Sequence, residues 1–184
     1  MNKIIIVSTL PRSRGFTLIE LLTVIVILGT LSVVAVSRFQ GKDGFAEFGW
    51  QKRLISALRN VQQLAMQDTR ALDGAGAPLC HQLVFDTANV RFGVPTDADS
   101  CSTTINIAGP SFLSSGSGLV DDNVQLAAVD NSLGIINLIG FNGLGQPVDS
   151  TGDRICTTGC QISFSNSAVA KVCIESEGYI RACL

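Results

Sequence analysis

The feature that most constrains this chain is an apolar segment near its N-terminus. Residues 16–37 contain a single ionisable side chain, that of Glu20. As a helix rising about 1.5 Å per residue, this segment would extend roughly 33 Å, slightly more than the roughly 30 Å hydrocarbon core of a bilayer. Basic residues precede it at Lys3, Arg12 and Arg14, and no acidic residue does. The positive-inside rule therefore predicts one membrane crossing, with a cytoplasmic N-terminus and an exported remainder.

The carboxylate of Glu20 needs a partner, because a charge at bilayer depth costs a few kcal/mol. One interpretation is a capping box, in which Thr17 and Glu20 accept hydrogen bonds from the first unpaired amides of the helix. The other is that cleavage after Gly15 creates a new α-amino group at Phe16, which Glu20 of a neighbouring copy neutralises inside the lipid. Capping boxes are common at helix starts, so the residues by themselves favour the first interpretation.

The segment Gly15-Phe16-Thr17-Leu18-Ile19-Glu20 follows a short basic leader and precedes the long apolar segment. In this arrangement it resembles the processing site of type IV prepilins and of the pseudopilins of type II secretion. The resemblance implies cleavage between Gly15 and Phe16 by a prepilin peptidase, followed by N-methylation of Phe16. It also implies that Glu20 sets the register of subunits in a filament, which reverses the preference for a capping role.

The same resemblance implies the partners and the location of the protein. Other pilin or pseudopilin subunits would contact the N-terminal helix, and an inner-membrane assembly platform would receive the processed chain. The protein would start as a single-pass protein of the bacterial inner membrane with a periplasmic head, and would then enter a pilus or pseudopilus.

A second interpretation of the N-terminus is an ordinary secretory signal peptide. Residues 21–36 would then be its apolar core, and Ala35-Val36-Ser37 its small-residue cleavage site. Cleavage there would release a soluble periplasmic recognition domain. This interpretation leaves the pattern from Gly15 to Glu20 unexplained.

Charge and length limit what the exported part does. The chain has 184 residues, of which 13 are basic and 15 acidic. Removal of the leader takes away three basic residues and no acidic ones. The remaining chain then has ten basic and fifteen acidic residues, and its formal charge is −5. We expect no nucleic-acid partner for an acidic head of this kind, and the length predicts one modest domain.

All the cysteines of the chain follow the apolar segment, so all of them would be exported to an oxidising compartment. Six cysteines allow fifteen pairings, and the sequence does not decide among them. The simplest expectation pairs them in chain order. A zinc site is the rival interpretation, but the chain has one histidine and no C-x-x-C pair, which favours disulfides and no metal. The expected pairs are Cys80 with Cys101, Cys156 with Cys160, and Cys173 with Cys183.

The residues predict four parts: a leader (1–15), a transmembrane or filament-core helix (16–37), a neck with an amphipathic stem helix (38–72), and a β-rich head (73–184). Glycines in residues 38–49 predict a weak neck. The stem helix carries apolar residues three and four apart, with a basic and amide-rich opposite face, and residues 73–78 end it. The apolar positions are Trp50, Leu54, Ala57, Leu58, Val61, Leu64 and Ala65, and the polar ones are Lys52, Arg53, Arg59, Gln62 and Gln63.

Beyond Pro78 the sequence predicts short strands and no further helix. Turn residues at 86–89, 165–167 and 175–178 predict three hairpins, and the serines and glycines of 111–118 predict an exposed loop. The expected fold is α+β, in which a long N-terminal helix packs on an antiparallel sheet or small β-sandwich. The predicted strands are 82–85, 89–94, 103–107, 124–129, 135–141, 161–164, 169–174 and 179–183.

The C-terminal third carries a second, looser resemblance. Residues 141–147, 163–165, 170–174 and 177–180 resemble the end of the H-type pseudopilins and their fimbrial-biogenesis relatives. The resemblance implies a minor pilin or minor pseudopilin. The cysteine-rich end is similar to the minor pilins of mannose-sensitive haemagglutinin pili.

No catalytic constellation is evident, so we expect no enzyme and no cofactor. His81, the single histidine, sits beside Cys80 at the start of a predicted strand, where a structural role is commoner than a catalytic one. The glycines lie in turns, and no loop has the spacing of a calcium site. As an alternative to a purely structural role, the head could bind a ligand or another subunit through residues 111–118 or the loop closed by Cys156 and Cys160.

Overall fold

A computed structural model describes residues 16–39, 45–68, 80–96, 101–110 and 112–183. The chain forms two compact units, Met1–Gly41 and Lys42–Leu184. The leader, the middle of the predicted neck (40–44) and the predicted helix stop at 73–78 lie outside the described residues.

The first unit contains helix α1, which spans Leu18–Phe39. It begins two residues after the predicted start at Phe16 and ends two residues after the predicted end at Ser37. The apolar side chains described in it, from Leu18 to Leu31, are exposed. Among the residues that the structure describes, no helix is both long and apolar enough to cross a membrane.

The second unit begins with helix α2, which spans Ala46–Gln67. Six of the seven predicted apolar positions are buried, but the prediction for Leu64 was wrong, because its side chain is 45% exposed. Two polar residues, Glu47 and Gln51, are buried instead. Gly49 lies within the helix, so residues 46–49 of the predicted neck are helical.

Two antiparallel sheets complete the second unit, in the strand orders β2-β1-β5-β6 and β4-β3-β7-β8-β9. Short connections join β1 to β2, β7 to β8 and β8 to β9, which confirms the three predicted hairpins. The strands are β1 (Gln82–Asp86), β2 (Arg91–Gly93), β3 (Gln125–Asp130), β4 (Gly134–Ile135), β5 (Leu138–Phe141), β6 (Pro147–Val148), β7 (Cys160–Ser165), β8 (Val169–Ile174) and β9 (Ile180–Cys183).

Several predicted strands were wrong in extent. Residues 103–107 form no strand, and only Ile105 makes an isolated bridge, with Pro95. The predicted strand 135–141 is two strands, because the chain leaves the five-stranded sheet after β4 and enters the four-stranded sheet at β5. Strand β6 and a short helix α3 (Gly118–Asp121) were not predicted.

The core lies where α2 packs against strands of both sheets. Strand β3 has one buried face: Leu126 and Ala128 point inward, whereas Gln125, Ala127 and Val129 point outward. Phe92 makes edge-to-face contacts with Trp50 and with Phe164, so an aromatic row links α2, β2 and β7. The α+β fold predicted from the sequence is confirmed.

Replacing Leu58 by alanine is expected to lower the free energy of unfolding by about 2–5 kcal/mol, because a fully buried leucine leaves a cavity. Leu64→Ala is the matched control on the same helix, and its half-exposed side chain predicts a loss below about 1 kcal/mol. Urea unfolding of the full chain in detergent, followed by tryptophan fluorescence, measures both. Equal losses of unfolding free energy in the two variants would contradict the orientation of α2, in which Leu58 faces the core and Leu64 does not.

Candidate functional site

The start of α1 is a capping box. The Thr17 backbone N–H and hydroxyl each donate to Glu20 Oε2 at 3.2 Å, and the Glu20 N–H donates to Thr17 Oγ1 at 3.3 Å. Two amides that the helix itself cannot pair are thereby satisfied. Phe16, the residue before this box, is 83% exposed. The expected cleavage position, Gly15, lies outside the described residues.

From Leu18 to Leu31, helix α1 presents exposed apolar side chains on every face. Its hydroxyl groups do not disturb this surface, because each one described donates to a carbonyl of its own helix: Thr23 to Glu20, Thr30 to Ile27, and Ser32 to Leu28. An exposed apolar surface of this kind favours association with lipid or with other apolar helices.

The six cysteines form three disulfides, in the chain order that the sequence favoured. Cys80 joins Cys101 after the second helix, and Cys156 joins Cys160 within a tight loop before β7. The third disulfide links β8 to β9, two neighbouring strands at one edge of the five-stranded sheet. The pairs are Cys80–Cys101, Cys156–Cys160 and Cys173–Cys183.

Asp130, at the end of β3, organises the loop that the second disulfide closes. Its Oδ1 accepts hydrogen bonds from the N–H and hydroxyl of Ser132, at 2.7 and 2.6 Å, and from the Leu133 N–H at 3.1 Å. Its Oδ2 accepts from the Cys156 N–H at 2.5 Å and lies 3.5 Å from Cys160 Sγ. One buried carboxylate therefore fixes both the turn after β3 and the disulfide loop.

The pKa of Asp130 is governed by two opposing effects. Burial favours the neutral acid and would raise the pKa, but hydrogen bonds from Ser132, Cys156 and Leu133 outweigh burial and hold it below its ordinary value. The carboxylate is therefore charged at neutral pH. The sequence did not reveal this role, because an aspartate before a turn is usually solvated.

One of the two expected binding surfaces is partly buried. In residues 111–118 we expected an exposed loop, but Leu113, Ser114 and Ser115 are buried. Ser115 pairs with the edge of β2, since its N–H donates to the Phe92 carbonyl at 2.8 Å and its hydroxyl accepts from the Phe92 N–H at 3.0 Å. Ser115 thereby supplies hydrogen-bond partners to the edge strand β2.

The other expected surface, the loop closed by Cys156 and Cys160, is accessible. Thr157 and Thr158 are exposed. The Asn131 side-chain amide donates to the Thr158 carbonyl at 3.1 Å, so the turn after β3 lies against this loop. Leu133, in that turn, is also exposed. Together they form an uncharged surface at one end of the five-stranded sheet.

His81 has a structural environment. Its Nε2 lies 2.9 Å from Asp68 Oδ2, and both side chains are mostly buried. Asp68 immediately follows α2 and His81 immediately precedes β1. The pair therefore ties the end of the stem helix to the first strand.

Polar residues beside the apolar stripe of α2 hold the head together in ways that the sequence did not predict. The Gln62 amide donates to the carbonyls of both Gly145 and Gly178, at 2.7 and 2.8 Å. The turns at Gly145 and Gly178 lie this close together because residue 178 is glycine. It has a positive φ of 87°, and a Cβ there would collide with the Gly145 carbonyl. Arg59 likewise donates to the Ile180 carbonyl at 2.8 Å.

Comparison with known proteins identifies a family at the N-terminus. The family described as the prokaryotic N-terminal methylation motif matches residues 10–36. No curated protein matches the chain, and no solved structure matches it.

The methylation motif supports a type IV pilin-like or pseudopilin-like protein. Proteins of this kind are structural subunits rather than enzymes. The motif also indicates processing by a prepilin peptidase, contact with other pilin subunits, and a membrane-anchored form that precedes the filament.

Acidification is expected to destabilise the head through Asp130. Because the native pKa is lowered, its contribution is complete above the ordinary aspartate pKa of about 3.9 and is lost as the pH falls through the native value. Unfolding free energy, measured by urea titration from about pH 2 to 7, should therefore fall less steeply with acid in Asp130→Asn than in the exposed control Asp121→Asn. Equal slopes would contradict the role of this carboxylate.

Proposed function

We propose that this chain is a structural minor subunit of a type IV pilus that aids pilus assembly or adhesion. The prepilin is cleaved after Gly15, Phe16 is N-methylated, and α1 packs in the filament core. The observation that carries the proposal is the methylation motif at residues 10–36, continuous with a capped helix whose described side chains are exposed and apolar.

The apolar helix supplies the driving force for both storage and assembly. In water, each exposed apolar Å² costs about 25 cal/mol, so α1 needs lipid or neighbouring helices around it. We propose that residues 16–37 hold the chain in the inner membrane until assembly. Inside a filament, helices associate by close packing, which Gly29 favours because it has no side chain to keep a neighbouring helix away. No other described part of the chain occupies the space beside Gly29.

Glu20 has a different role before and after cleavage in this proposal. With the leader attached, its carboxylate caps its own helix through Thr17. Cleavage converts the Phe16 amide into a charged amine, and Glu20 of a neighbouring subunit pairs with it. In an apolar surrounding this attraction is far stronger than in water, and an unpaired carboxylate would be costly, so mis-registered subunits are excluded.

Two substitutions separate registration from capping. Glu20→Gln keeps an acceptor for Thr17 but removes the charge, and we expect at least about tenfold less protein in sheared filaments, with cleavage retained. Thr17→Val is the matched control, because it removes the hydroxyl that accepts from the Glu20 N–H and keeps the charge. It should assemble nearly normally. Normal assembly of Glu20→Gln would reject registration, and failure of both variants alike would favour capping.

A minor pseudopilin of a type II secretion system is the alternative assignment. Deletion of the chain distinguishes the two machines. We expect fewer surface filaments with undiminished secretion of folded periplasmic proteins, whereas the reverse pattern would assign the chain to a secretion pseudopilus.

The exposed disulfide loop favours a second role for the head, contact with a neighbouring subunit. Leu133 and Ile135 are 67% and 77% exposed, and they lie on the turn and edge strand next to Thr157 and Thr158. Aromatic residues, which stack on sugars, make up only 6% of the chain. A photo-crosslinker at Ile135 should therefore capture another filament subunit, and binding of the chain to a glycan array would overturn this choice.

A further inference from the structure

The most concentrated set of metal-ligating groups among the described residues is the one around the second disulfide. One carboxylate oxygen of Asp130 and the sulfurs of Cys156 and Cys160 all lie within 4.8 Å of one another. All three residues are at most 1% exposed. The proposed filament function uses none of these groups directly.

The chemistry of this set suits a thiophilic divalent cation. Two cysteines separated by three residues have the spacing of many zinc ligand pairs, and an aspartate oxygen is a regular third ligand. The two Cα atoms are 4.8 Å apart, so both sulfurs face one small volume. Hard cations such as Mg²⁺ and Ca²⁺ prefer all-oxygen sites, so the sulfurs select Zn²⁺ and similar ions.

We propose that Asp130, Cys156 and Cys160 form a metal site in the reduced chain, and that the disulfide and the metal exclude each other. A thiol or phosphine reductant supplies two electrons, two protons enter, and the S–S bond becomes two thiols. Binding of Zn²⁺ then releases both protons as the thiolates coordinate, and Asp130 supplies the third ligand. A water completes the tetrahedron, as in zinc sites with three protein ligands.

The surroundings already hold the carboxylate in place. Ser132 and Leu133 donate to Oδ1, and the Cys156 N–H donates to Oδ2, so the ligand is oriented before a metal arrives. The Thr157 and Thr158 side of the loop is exposed and gives the ion a path. A bound ion would keep the loop folded in the newly exported chain until an oxidant closes the disulfide.

Cobalt titration of the full chain in detergent tests the site. The chain in which Cys80, Cys101, Cys173 and Cys183 are replaced by serine leaves only the proposed thiols. After reduction it should bind one Co²⁺ with the visible absorption of tetrahedral thiolate coordination, and Zn²⁺ should displace it. The oxidised chain should show no such absorption.

Two further variants identify the third ligand. Asp130→Asn should weaken Co²⁺ binding by more than about tenfold, because it removes a ligand charge. Asp121→Asn is the matched control, since it removes an exposed carboxylate that is not part of the proposed site, and should leave Co²⁺ affinity unchanged. Equal affinities in Asp130→Asn and the parent chain would overturn the proposal.

A second measurement covers the case in which the four-serine chain does not fold. The reduced natural chain and its Cys156→Ser/Cys160→Ser variant are then titrated side by side. We expect the natural chain to bind one more equivalent of Co²⁺ than the variant, and identical stoichiometry would overturn the site.

Discussion

Burial of the apolar stripe of α2 is the interaction on which the head depends. Leu54 and Leu58 are fully buried in the core, where α2 packs against strands of both sheets. The polar residues beside the stripe then fix its position: Gln62 joins the turns at Gly145 and Gly178, and Arg59 binds the edge strand β9. Apolar burial supplies the free energy, and these hydrogen bonds supply a unique register.

The apolar helix α1 differs from α2, because its apolar side chains are exposed rather than buried. Its side chains find no buried environment among the described residues of its own unit, and its hydroxyls are paired internally. An exposed apolar surface of this kind favours association with similar helices or with lipid. The methylation motif at its start supports that interpretation. In the proposed mechanism, cleavage of one peptide bond gives Phe16 a charged α-amine, which pairs with Glu20 of a neighbouring subunit.

The sequence predicted what periodicity and turn chemistry encode. The α2 stripe and the three hairpins were recovered, because their signals are local. It failed where tertiary contacts decide: Leu64 fits the helical period but is 45% exposed, and Ser115 is buried because it pairs with the edge of β2. The chain passes from one sheet to the other at residues 136–137, and neither of these residues is a glycine or a proline that would have indicated a strand break. Asp130 was missed because its partners, Ser132 and Cys156, are brought together only by the fold.

The most direct test of the central claim is the intact N-terminal mass of the protein from its native envelope. The account predicts a mature chain that begins at Phe16 and carries one additional methyl group on its α-amine. A chain that begins near Arg38 would contradict it, because the apolar segment would then be a discarded signal peptide and the head a free periplasmic domain.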